Sequence, residues 1–296
     1  MKAIILAGGK GTRLYPMTTV FSKQLQPIYD KPMIYYPLST LMLLGIRDFC
    51  LISTPEDTPH FARLLGDGTN WGIQIEYRVQ QHPGGLAQAF LVAEDWIAGD
   101  ACGLILGDNL FYGKMNLFAS ALENFTQGAV IYGYPVSDPS SYGVLRFSSD
   151  GAPVDIEEKP ENPPSNIAVP GLYFYDAQVV SLCKQLRPSP RGELEITDLN
   201  RSYLQMGQLR VGMLGRGVTW LDTGTPDSLL EAAEFVRIME HRQGLKIGCP
   251  EEAALRMGFI RTKEAIDLCH SLPNGSYRSY LQRVLTEHET GRWDAS

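Results

Sequence analysis

The first eleven residues leave this chain few ways to fold. Ala3-Ile4-Ile5-Leu6-Ala7 is apolar at every position and stops at Gly8-Gly9-Lys10-Gly11. A strand with no polar face is buried on both sides, as in a mostly parallel sheet covered by helices. The glycines that follow present bare backbone N–H groups to whatever sits beyond the strand end. Arg13 and Lys23 lie just downstream, so the turn is suited to a polyphosphate. Lys10 lies in the turn, where it either adds a phosphate contact or points to water.

The next 130 residues repeat that logic. Strands are expected at Asp48–Ser53, at 73–79 (Ile73, Ile75, Tyr77 and Val79 alternate with polar residues), at Gly103–Leu106 and at Ala129–Val136. Helices are expected at Met33–Leu44, Glu56–Leu65, Gly85–Ile97 and Leu117–Phe125. Pro37 inside the first of these predicts a kink or a late start. The alternation implies an α/β fold, a Rossmann-like three-layer arrangement around a mostly parallel sheet.

After Asp138 the texture changes. Short strand patterns at Val144–Phe147, Val154–Glu158 and Val169–Tyr175 are separated by Pro, Gly and Ser, as in a small antiparallel insertion over about 138–220. Helical patterns return at Ala177–Leu186, Glu193–Met206 and Asp227–Arg242, and C-terminal helices follow Pro250. The reading is a catalytic unit over 1–243 and a helical region over 244–296, with a weak linker at Gly244–Pro250.

Composition narrows the partners. The chain has 296 residues and a formal net charge of -7, so no general electrostatic footprint for nucleic acid is expected. Cys50, Cys102, Cys183, Cys249 and Cys269 are odd in number and form no C-x-x-C. A disulfide framework or zinc site is not expected, and a reducing, cytoplasmic setting fits. No apolar run is long enough for a membrane span.

The glycine turn matches neither common phosphate fingerprint. A third Rossmann glycine is replaced by Leu14, and Lys10 is followed by Gly11 where a Walker A loop needs Ser or Thr. Asp108 in Leu106-Gly107-Asp108-Asn109 stands at a strand end, where ligands collect in open α/β sheets. Asp222 in Trp220-Leu221-Asp222-Thr223 stands similarly. Each reads equally well as a helix cap or turn residue, or as a Mg²⁺ ligand, since Mg²⁺ favours oxygens shared among carboxylate, water and phosphate. Gln80 offers a donor and an acceptor together, suited to a pyrimidine edge or simply to a loop.

Leu6-Ala7-Gly8-Gly9-x-Gly11-Thr12-Arg13-Leu14-x-Pro16, Lys23-Gln24-Leu25-x-Pro27, Lys31-Pro32-Met33-Ile34, Tyr35-Tyr36-Pro37-Leu38 and Gly107-Asp108-Asn109 together resemble the signature of sugar-1-phosphate nucleotidylyltransferases. Within that family they resemble the branch that joins dTTP to glucose 1-phosphate. The resemblance spans roughly residues 1–290. It implies catalytic roles for Arg13, Lys23, Asp108, Lys159 and Asp222, with Mg²⁺ on Asp108 and Asp222. It implies nucleotide contacts from Gly8, Gly9, Gly11, Thr12, Arg13, Lys23, Gln24, Gln80, Gly85 and Asp108. Sugar-phosphate contacts fall to Asn109, Tyr142, Gly143, Glu158, Lys159, Val169, Arg191 and Trp220.

The resemblance further implies a homotetramer, feedback inhibition by a dTDP-deoxysugar at the C-terminal helices, and a place in nucleotide-sugar supply for polysaccharide, such as the dTDP-rhamnose route. Three other readings stay open. One is a nucleotidylyltransferase for another hexose 1-phosphate or for UTP. Another is a GT-A-type glycosyltransferase, although Asp108-Asn109-Leu110 is not Asp-x-Asp. The third is a binding module without chemistry, which retention of all five charged positions argues against.

Overall fold

In the computed structural model, the residues described are 1–9, 11–123 and 125–290. Lys10 therefore lies outside the described residues, as do Asn124 and the last six positions.

The strands in chain order are β1 (Lys2–Leu6), β2 (Pro27–Ile28), β3 (Lys31–Pro32), β4 (Asp48–Ser53), β5 (Gln74–Val79), β6 (Cys102–Leu106) and β7 (Asn109–Gly113). There follow β8 (Ala129–Pro135), β9 (Gly143–Phe147), β10 (Pro153–Glu158), β11 (Ile167–Ala168), β12 (Leu172–Tyr175), β13 (Leu209–Met213) and β14 (Val218–Asp222). The main sheet runs β10-β9-β11-β8-β12-β6-β1-β4-β5, with β13 added parallel to β8. The pairs β6-β1, β1-β4 and β4-β5 are parallel, and β12 runs antiparallel between β6 and β8. Two small antiparallel pairs, β2-β3 and β7-β14, stand apart from it.

The apolar first strand is buried on both faces, as its sequence requires. Ala3, Ile5 and Ala7 enter one core, Ile4 and Leu6 the other. The first core is roofed by α1 (Tyr35–Leu43), α2 (Thr58–Leu65) and, further along the chain, α5 (Asn116–Leu122). The second is roofed by α3 (Gln88–Val92), α4 (Glu94–Ile97), α6 (Val179–Cys183) and α7 (Ile196–Gln205). A long helix, α8 (Pro226–Gln243), packs Leu229, Ala232 and Val236 against Ile28, Met33 and Tyr36. Three C-terminal helices, α9 (Pro250–Arg256), α10 (Thr262–Ser271) and α11 (Ser276–Glu289), complete the first core, α9 lying on α1.

Several expected boundaries move, each for a local reason. Helix α1 begins at Tyr35, which puts Pro37 in the first turn where no N–H is needed: the late start rather than the kink. The helix expected over Gly85–Ile97 begins only at Gln88, because Gly84 and Ala87 instead hydrogen-bond to the Leu194 backbone, and it is interrupted at Ala93. Helices expected at Leu117–Phe125, Ala177–Leu186 and Glu193–Met206 shorten to α5, α6 and α7. The expected strand Val169–Tyr175 begins only at Leu172, as β12 after Pro170-Gly171, and the two-residue β11 lies just before the expected start. The sequence reading also passed over β7 and β13, whose residues alternate too weakly to stand out. The antiparallel hairpin β9-β10 is not a separate layer; it extends the main sheet.

Candidate active site

β1, β6 and β14 converge on one place. β1 ends at Leu6, and Ala7 leads into Gly8 and Gly9, the latter with φ of 97° in a region that favours glycine. Gly11 (φ 56°) then caps a single 3-10 turn, Thr12–Leu14, which carries Arg13. A Cβ on Gly11 would press on Thr18 at 2.8 Å, so this glycine serves the turn itself.

β6 ends one residue before Gly107, and Asp108 follows between β6 and β7. The β7-β14 register sets Asp222 opposite Asn109. That pairing brings together two aspartates more than a hundred residues apart. Neither is a helix cap: α8 is capped by Thr225, whose side chain accepts from the Ser228 N–H at 3.2 Å. Thr223 ties the two strand ends, donating through Oγ1 to the Asp108 carbonyl at 3.0 Å.

The two carboxylates are held in opposite electrostatic states. Burial alone would raise Asp108, but Lys23, through its charge and a direct hydrogen bond, overrides it with help from Asn109. Asp108 is thereby held below the ordinary carboxylate range. Burial raises Asp222, the Tyr142 hydroxyl donating at 3.1 Å opposes it, and the negative charge of Asp108 adds to it. Arg13 is close: a Cβ on Gly224 would stand 3.0 Å from Arg13 Nη2 and 3.2 Å from Asp222 Oδ2. Among the described residues no cluster of three or more His, Cys, Asp or Glu side chains could hold a metal. A Mg²⁺ ion nonetheless fits Asp108 and Asp222, because this ion commonly takes one or two carboxylates and completes its shell from water and phosphate.

Two adjoining cavities meet at Asp108. The narrower, about 180 Å³, is lined by Gly8, Gly9, Lys23, Gln24, Gln80 and Gly85. The wider, about 770 Å³, is lined by Thr12, Arg13, Asn109, Tyr142, Gly143, Glu158, Lys159, Val169, Arg191, Trp220 and Asp222. Asp108, Leu86, Leu106 and Glu193 border both. Among the described residues to which the resemblance gives catalytic, nucleotide or sugar-phosphate roles, Gly11 alone borders neither cavity, and Thr12 and Arg13 face the wider one.

The wider cavity is polar and largely prearranged. Glu158 accepts from the Thr197 hydroxyl at 2.5 Å and from Arg191 at 3.4 Å. Arg191 is in turn gripped by the buried Glu195, both of whose carboxylate oxygens lie 2.9 Å from Nη2. Lys159 has φ of 43°, an uncommon conformation for a side-chain-bearing residue, and its N–H donates to the Tyr142 carbonyl at 2.9 Å. Its ammonium is half-exposed, 3.7 Å from Glu158. Trp220 packs edge-on against Tyr142 and donates its indole N–H to Asn109 Oδ1 at 2.7 Å. Asn109 Oδ1 also accepts from Gly171 N–H at 3.1 Å, and its amide nitrogen donates to Asp108. Asn109 thus ties Trp220, Gly171 and Asp108 together at the wall of the wider cavity.

Sequence reasoning passed over Glu195, Thr197, Gln88 and Glu193. The first two orient Arg191 and Glu158, and the third holds Gln80. Their only sequence signal was closeness along the chain to Gly85 and Arg191.

The profile of the nucleotidyl transferase family matches residues 2–238. A glucose-1-phosphate thymidylyltransferase of Mycobacterium tuberculosis (strain CDC 1551 / Oshkosh) is 53% identical over 287 residues, covering 96% of this chain and 99% of its own. The enzyme of the same name from Neisseria meningitidis is 53% identical over 288 residues, with the same coverage. A Bacillus anthracis crystal structure assigned to glucose-1-phosphate thymidylyltransferase, in complex with sucrose, superposes with a TM-score of 0.75 at 41% identity, over 80% of this chain and 95% of that one. The chain belongs to the nucleotidyl transferase family and stands within it among the glucose-1-phosphate thymidylyltransferases.

Proposed function

We propose that the chain transfers a thymidylyl group from dTTP to glucose 1-phosphate, giving dTDP-glucose and pyrophosphate. The observation that carries this reading is the junction at Asp108. A glycine-walled cavity with Lys23 and Gln80 opens there into a polar one with Arg13, Glu158, Lys159 and Asp222.

The sugar-phosphate oxygen is already anionic, so it attacks the nucleotide α-phosphorus without a general base. Catalysis is then alignment plus neutralisation of charge. Lys159 orients the incoming phosphate, Glu158 and Arg191 with their supports receive the sugar, and Arg13 with Lys23 offsets charge on the nucleotide phosphates. Asp108 and Asp222 would hold Mg²⁺, which when bound supplies positive charge to phosphate oxygens. Lys23 bonds Asp108 directly here, so the carboxylate that would hold the cation is also the one that fixes the lysine. We further place the enzyme in the cytoplasm as a homotetramer. Its 244–296 region would carry the subunit contacts and a dTDP-deoxysugar would regulate it, consistent with the dTDP-rhamnose route. No helix among the described residues is long and apolar enough to cross a membrane.

The test is a matrix of four nucleoside triphosphates against several hexose 1-phosphates, read by pyrophosphate release with no acceptor present. The highest kcat/KM is expected for dTTP with glucose 1-phosphate, and Arg13→Ala lowers kcat by about 10²–10³. No pyrophosphate from that pair, or an absolute need for a sugar acceptor, overturns the reading.

A further inference from the structure

We propose that Gln88, which borders neither cavity, is the positioning residue that sets pyrimidine choice by locking the Gln80 amide with its oxygen toward the nucleotide. This rests on the reading of the narrow cavity as the nucleotide site.

The argument is a chain of donors and acceptors. Gln88 opens helix α3, and its amide folds back over Gly84. Its Oε1 is identified by the Gly84 N–H, which donates to it at 3.2 Å while also reaching the His82 carbonyl. Gln80 Nε2 donates to that same Oε1 at 2.6 Å and to the Gly85 carbonyl at 3.3 Å. A glutamine amide has two N–H donors and one carbonyl. Both Gln80 donors are turned to protein acceptors, so its carbonyl oxygen is the atom left for the cavity. That oxygen sits over Gly8, where a Cβ would stand 3.1 Å away.

An acceptor at this point is selective. Thymine and uracil carry a ring N–H between two carbonyls, and that N–H can donate to Gln80 Oε1. Cytosine presents an unprotonated ring nitrogen there, so lone pair would face lone pair. Only a flipped Gln80 amide would welcome it, and flipping sets the Gln80 carbonyl against both Gln88 Oε1 and the Gly85 carbonyl. The Gln88 acceptor is therefore the lock, although it touches no base.

The experiment measures Kd for dTTP and dCTP by calorimetry on the full chain, with turnover measured separately. The wild type prefers dTTP. Gln88→Met removes the acceptor and lowers the dCTP/dTTP Kd ratio by about tenfold, the scale of one misdirected hydrogen bond. Gln88→Glu keeps an acceptor for both Gly84 and Gln80 and holds the ratio within about threefold of wild type. Gly84→Ala gives an independent perturbation, since its Cβ would stand 2.6 Å from Gln88 Cδ and displace the amide, and it matches Gln88→Met. Equal weakening toward both nucleotides in Gln88→Met, or no dTTP preference in the wild type, overturns the proposal. A wild type that prefers dTTP in binding but releases no pyrophosphate with glucose 1-phosphate instead overturns the proposed reaction and leaves the lock standing.

Discussion

Asp108 and Asp222 are two strand-end carboxylates in one site, and neutralising each is expected to move stability in opposite directions. Asp222 takes up its proton more readily in the fold than in an unfolded chain, through burial and the charge of Asp108. Its ionised form therefore destabilises the fold. The penalty is absent below the ordinary carboxylate pKa, grows as pH rises toward the raised folded value, and is complete above it.

Asp222→Asn removes that penalty and still accepts from Tyr142, for a gain of about 0.5–2 kcal/mol at pH 7.5 without divalent cation, typical of relaxing a strained functional site. At about 2.1 cal/mol/K per residue, a chain of this length gains about 1–3 °C in Tm. Asp108 has the reverse sign. Its lowered pKa stabilises the fold above the ordinary carboxylate value, and that stability is lost as pH falls through the folded value. Asp108→Asn also leaves Lys23 unpaired at 12% side-chain exposure, a loss of about 1–3 kcal/mol and about 2–5 °C.

Thermal melts of both variants in EDTA at pH 7.5 and pH 4 read the sign, and pyrophosphate release reads activity, expected to fall in both. A lower Tm for Asp222→Asn at pH 7.5, or a gain that does not shrink in acid, would refute the reasoning.

Two further outcomes test the frame around the site. Lys31 is buried between Asp30 and Glu240, and Glu240 also accepts from the Ile247 N–H and from Lys246, joining the β2-β3 hairpin to the 244–250 segment. Glu240→Ala leaves the buried Lys31 with Asp30 as its remaining carboxylate partner and the Ile247 N–H without its acceptor, so a loss of about 1–3 kcal/mol is expected as a fall in Tm, with Glu240→Gln milder. Gly85 has φ of 96°, and a Cβ there would collide with the Leu194 backbone. Gly85→Ala is expected to cost at least about 2 kcal/mol and to weaken dTTP binding in titration, because Pro83, Gly85 and Leu86 wall the narrow cavity. Gly151→Ala, also at positive φ but facing open space, is expected to lose less stability and no affinity.

Strands were the most legible part of the sequence. Asp48–Ser53 has the bounds its apolar run implied, and the run at 129–136 is one residue too long, because burial on both faces writes itself into consecutive residues. Helices were less legible. The pattern through 85–97 is apolar enough for one helix, yet Gly84 and Ala87 pair with Leu194, a partner more than a hundred residues away. The same limit applied at the site. Arg13, Lys23, Asp108 and Asp222 were visible as charged residues beside turns, whereas Glu195 and Thr197 looked like an ordinary helix start.

By itself, then, the sequence determined a two-sided sheet, a glycine turn after its first strand, and a set of charges of the right chemical kinds. Local composition is enough for that, since each depends on near neighbours. Only the tertiary structure decided that the β7-β14 register sets Asp222 beside Asp108, that Lys23 claims one carboxylate and burial raises the other, and that Gln88 turns Gln80. Each of these is a contact between segments whose separation along the chain carries no trace of their separation in space.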